Sequence, residues 1–84
     1  MSDSKAELDA MIEREKREVA REHHHDAWAG GISDGIETEI MAEAAIETAL
    51  VEYVEAAGED AALASLDSLR ERLHAGAFTL KTVH

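Results

Sequence analysis

The densest run of side chains able to hold a metal or move a proton is Glu22-His23-His24-His25-Asp26. Imidazole and carboxylate groups are ordinary ligands of zinc, iron and manganese. On a helix, residues three apart share a face, which pairs Glu22 with His25 and His23 with Asp26. A second concentration is carboxylate alone: Glu39, Glu43 and Glu47 recur at i, i+4, i+8 and are flanked by apolar residues. A metal site built from these parts would take Glu22 and His25 from one helix and Glu43 from the next. The same residues also have a plain surface reading. The histidines would then be last-turn residues at the negative end of a helix dipole. The glutamates would be a solvated stripe, countered by Arg14, Lys16, Arg17 or Arg21.

The Glu-x-x-His spacing, completed by glutamates from neighbouring helices, resembles the ligand pattern of ferritin-like di-iron bundles. In particular it is similar to the small dimeric encapsulated ferritins, whose inter-subunit site is completed by dimerisation. The resemblance covers this spacing alone, and the order is reversed, with the Glu-x-x-His on the earlier helix. It implies a metal site for iron, zinc or manganese assembled from two copies through Glu22, His25 and Glu43. Against it, Gly30-Gly31 is expected to end the first helix and so leave the histidines at a fraying end. The leading expectation is accordingly no cofactor.

Charge decides more than the metal motif does. The net charge of −11 is unevenly spread: residues 36–58 carry six carboxylates and no base, and no Lys or Arg occurs between Arg21 and Arg70. Such a surface repels DNA, RNA and anionic membranes, so direct nucleic-acid binding and membrane binding are not expected. A base-free acidic surface suits a basic protein partner, including one that normally holds nucleic acid. In charge and size the chain resembles small acidic phage-type inhibitors, some anti-CRISPR proteins among them. Hydrolytic chemistry finds little support: the serines fall in caps, loops or an exposed helix face, none is read as the nucleophile of a Gly-x-Ser-x-Gly elbow, and His74 has no evident acid partner.

The elements that must position these residues are helices. With 84 residues, no Cys and no Pro, and Trp28, Tyr53 and Phe78 as its only aromatics, the chain has one domain's length and must fill its core with Leu, Ile, Val and Ala. Ser4-Lys5-Ala6-Glu7 has the form of a capping box, and a helix is expected from there to about Trp28. Pairs three or four apart support it: Glu13 with Arg17, Arg14 with Glu18, Glu18 with Arg21. Its apolar stripe is interrupted by the charged run Glu13 to Glu18, so residues 1–20 are expected to project or to be partly disordered. A second helix is expected after Ser33-Asp34-Gly35, capped by Asp34 with Glu37 or a few residues later, and stopping at Gly58. Ile40, Ala44, Val51 and Val54 line one side of it, with Ile46, Ala49, Leu50, Tyr53 and Ala57 adjoining. A third is expected with Asp60 as cap and Ala62, Leu66, Leu69 and Leu73 as its stripe, ending at Gly76. Phe78 and Leu80 suggest a short extended tail.

The expected fold is all-α: a single domain over residues 1–84, a bundle of two to three helices with that C-terminal tail, completed by dimerisation because the apolar arc of the second helix is wider than the third can cover. The expected function is non-enzymatic: a small acidic interaction module with a protein partner, a homodimer in the first place, or an acidic nucleic-acid-mimic inhibitor in the second. The interface is expected to use Ile40, Glu43, Glu47, Leu50, Val51 and Val54. Trp28 could join them as an anchor, although a lone Trp at a helix end is more often a core plug. The polar N-terminus has no apolar signal core, no stretch approaches the length of a membrane span, and no Cys is present, so a cytoplasmic location is expected.

Overall fold

A computed structural model describes residues 2–79 of the chain, with side chains from residue 4 onward. It contains three helices, α1 (Ser2–Ser33), α2 (Thr38–Ala57) and α3 (Glu59–His74), and no strand among the described residues. The chain divides into two units, Met1–Ala42 and Glu43–His84, so that α2 begins in the first and finishes in the second.

The first helix is longer than expected at both ends. It starts at Ser2, which places Ser4 inside the first turn rather than at a cap. Ser and Asp are tolerated there because the first four amides of a helix have no intrahelical acceptor. It also runs straight through Gly30-Gly31, the expected stop, and continues to Ser33. Glycine weakens a helix interior by only about 1 kcal/mol. What ends a helix is a left-handed residue that lets the last carbonyls find donors, and that residue is Gly35, at φ 87°. The Gly35 amide donates to the Ile32 carbonyl (3.0 Å) and the Ile36 amide to the Gly31 carbonyl (3.1 Å), the paired bonds of a Schellman end. Gly31 has a different task. It is half-buried, and a Cβ there would run into Sδ and Cε of Met41. The missing side chain therefore lets the start of α2 lie against the end of α1 within the first unit.

The second helix takes its cap from the later of the two expected positions: the Met41 amide donates to the Glu37 carbonyl at 3.0 Å. Asp34 instead sits in the turn before Gly35. At its other end α2 meets α3 across one residue. Gly58 donates to the Val54 carbonyl (2.9 Å), closing α2, and accepts from the Ala62 amide (3.2 Å), opening α3. Its angles, φ 92° and ψ 165°, lie in a region that essentially only glycine occupies. Asp60 is therefore not the cap. It lies in the first turn with Glu59, and no side chain caps this helix; both carboxylates instead meet the positive end of its dipole.

Gly76 ends α3 as expected, at φ 82°, with Gly76 donating to Leu73 (3.1 Å) and Ala77 to Arg72 (2.9 Å). Ala77 and Phe78 continue as turn. The Thr79 amide donates to the Gly76 carbonyl (3.2 Å), and the Phe78 ring comes under the Arg72 guanidinium, 4.8 Å from its centroid. Leu80 and the residues after it lie outside the described part.

Little is enclosed. Ala62 is the one buried residue among those described, at 4% exposure; Trp28, Met41, Ala42, Leu50, Ala61 and Ser65 are half-buried. These backbone assignments give a paired test by thermal or urea unfolding. Gly30→Ala, which has no atom within 4 Å of the new Cβ and sits in a helix interior, raises stability by about 0.5–1 kcal/mol. Gly58→Ala lowers it by about 1–3 kcal/mol. Equal effects at the two sites would contradict the different roles given to them.

Candidate functional site

On α2, successive residues step round by 100°, and this brings Glu39, Glu43 and Glu47 into line with Leu50 and Val54 further along. One strip of the helix is thus carboxylate in its first half and apolar in its second. Ile40 and Val51 lie alongside. The three glutamates are exposed, Ile40 is 54% exposed, Val51 60% and Val54 40%, and only Leu50 is half-buried. Six of the expected interface residues, Ile40, Glu43, Glu47, Leu50, Val51 and Val54, therefore share one broad side of α2. The seventh, Trp28, belongs to α1 in the first unit, where it lines a shallow open depression with Arg21, His24 and His25.

That depression marks a feature the sequence reading passed over. Arg14, Arg17, Arg21, His24, His25, Trp28 and Ile32 follow one another at helical spacing, so they occupy a single side of α1: arginines first, then histidines, then apolar residues. Taken as partners of nearby glutamates, or as unordered counter-charges for the second helix, these bases show no pattern; adding the rotation from one base to the next does. Of the three ion pairs expected on this helix, the described side chains form one, Arg17 with Glu13 at 2.9 Å, and both partners are about two-thirds exposed. Such a pair contributes roughly 0–1 kcal/mol. The guanidiniums of Arg14 and Arg21 are in no ion pair among the described residues.

The candidate metal ligands fall in different units of the chain. Glu22 and His25 are exposed on α1 and Glu43 belongs to the other unit. Among the described residues no group of three or more potential ligands gathers.

One catalytic motif was overlooked in the sequence. Gly31-Ile32-Ser33-Asp34-Gly35 does have the Gly-x-Ser-x-Gly spacing of a hydrolase nucleophile elbow. The local structure is not an elbow. An elbow places a strained serine between a strand and a helix, whereas Ser33 is the last residue of a helix, and no described residue other than glycine has a positive φ. The two outer glycines here serve packing on Met41 and the helix stop.

Comparison with known proteins gives no match: no family model, no curated protein and no solved structure is significantly similar to this chain. The fold is all-helical, and none of the described helices is long and apolar enough to cross a membrane. The expectation of no cofactor is checked by titrating the full chain with zinc, iron or manganese, with a Tm unchanged to within about 1 °C as the expected outcome. A stoichiometric rise that is lost in His25→Ala would establish a metal site.

Proposed function

We propose that this chain is a non-enzymatic interaction module whose α2 side seats a protein surface, and that its first partner is a second copy of itself. The observation that carries the reading is the contrast between a single buried residue among those described, Ala62, and a row of well-formed but uncovered apolar side chains on α2. Each unit is about 40 residues, close to the size below which a chain needs a staple or a partner to hold a core, and there is no Cys to supply a disulfide. A symmetric pair would cover Ile40, Leu50, Val51 and Val54 twice over. At about 1–2 kcal/mol for each partly exposed side chain, that is on the order of 10 kcal/mol. Association costs roughly 4–15 kcal/mol, so apolar cover and loss of freedom nearly balance, and polar complementarity decides the affinity.

Light scattering on the full chain is expected to give twice 9.1 kDa, and Val51→Asp to return it to the monomer mass. A wild-type mass of one chain up to about 100 μM would end this reading. The exposed Glu39, Glu43 and Glu47 in a segment without a base also support a second reading, an acidic ligand for a basic nucleic-acid-binding protein. In that case a pull-down recovers such a protein, and salt or Glu43→Lys/Glu47→Lys releases it; capture that is indifferent to salt would count against it.

A further inference from the structure

The charged strip on α2 and the charged strip on α1 have the same layout. Along α1 the order is Arg17, Arg21, His25, Trp28, Ile32; along α2 it is Glu39, Glu43, Glu47, Leu50, Val54. Both follow i, i+4, i+8, i+11, i+15, which keeps five side chains within about 80° of a helix and spans about 22 Å. Each member of the first series lies 22 positions before its counterpart in the second. Laid side by side in the same direction, the helices would set Arg17 by Glu39, Arg21 by Glu43, His25 by Glu47, Trp28 by Leu50 and Ile32 by Val54. Base meets acid over the first half and apolar meets apolar over the second.

A single chain cannot make this arrangement. Parallel packing in that register puts Thr38 level with Lys16, about 25 Å along the axis from Ser33. The link between the helices is only residues 34–37, and it reaches at most about 18 Å when fully extended. It is not extended either, since Gly35 and Ile36 are bonded back to Ile32 and Gly31. We infer that α1 of one copy packs in parallel on α2 of a second copy, in the register that faces Arg17, Arg21 and His25 with Glu39, Glu43 and Glu47. A two-fold axis makes the contact twice, α1 of each copy on α2 of the other, so the assembly closes at two chains. This rests on the reading of α2 as an interface and names the surface that covers it.

The test uses two full-length variants, Arg17→Glu/Arg21→Glu and Glu39→Arg/Glu43→Arg, followed by sedimentation velocity and native mass spectrometry. In the first, both faces are acidic; in the second, both are basic. Each alone is expected to self-associate at least about tenfold more weakly than wild type. An equimolar mixture is expected to form the mixed dimer at near wild-type affinity, because both of its contacts are again complementary. Simple relief of the net charge of −11 predicts the opposite for the second variant, which is less acidic and would then associate more tightly than wild type; that result overturns the inference. A wild-type dimer unaffected by either variant overturns the inference and leaves α2 an interface. A monomeric wild type removes both. Should a reversal variant lose its helical circular dichroism in the mixture as well as alone, Arg17→Gln/Arg21→Gln replaces it, and an unchanged dimer there is likewise fatal.

Discussion

A helix of 16 or 20 residues keeps its backbone hydrogen bonds in water only marginally unless something lies against its apolar side. Here α2 and α3 have those lengths, and the described residues enclose one alanine. Hydrogen bonding along the backbone is complete enough to define the helices, but it exchanges protein–water for protein–protein bonds at small net gain. The free energy that offsets chain ordering must come from burial, and most of the apolar side chains of α2 remain exposed. Every other feature of the molecule is to be understood from that shortage of cover.

The connections sharpen the constraint. Gly35, Gly58 and Gly76 each adopt a positive φ and end a helix within one or two residues, so the chain has little slack with which to fold one helix over another's exposed side. Gly31 allows a close approach in the first unit, the Met41 thioether against the α1 backbone. Tight links and long helices together favour cover from outside the chain. They also determine which parallel contacts are reachable only between copies.

Much of this was legible from residue types. The three-helix order, the stop at Gly58, the stop at Gly76 and the placing of Ile40, Val51 and Val54 on one side of α2, with Leu50 adjoining, follow from helical periodicity and from glycine's access to left-handed angles. The misplacements share one cause, the use of local composition to locate helix ends. Two adjacent glycines looked like a stop, yet a helix tolerates Gly30 and Gly31 because its end is fixed by where the last carbonyls find donors. Asp60 looked like a cap, yet Gly58 already supplies the opening carbonyl. The basic strip on α1 went unread for a related reason: single pairs and loose counter-charges explain the arginines one at a time, whereas a surface is a property of the whole rotation. The Gly-x-Ser-x-Gly run was legible as spacing but carries no meaning without the strand that an elbow requires.

Apolar and charged contacts divide the work of recognition unequally. The apolar second halves of the two strips are small and chemically generic, able to add affinity for many surfaces but to distinguish few. The charged first halves do the reverse. Exposed pairs contribute little each, but like charges set opposite each other cost enough to reject wrong registers and wrong partners. A net charge of −11 disfavours association of copies in general, and least where their few bases meet the base-free segment. All five Lys and Arg residues before Arg70 lie in α1, and the run from Ile36 to Gly58 has none, so α1 holds more of the bases that could meet α2 than α3, which has Arg70 and Arg72. In the proposed contact of α1 on α2, the uneven charge would give an otherwise generic apolar helix a preferred partner and a preferred direction.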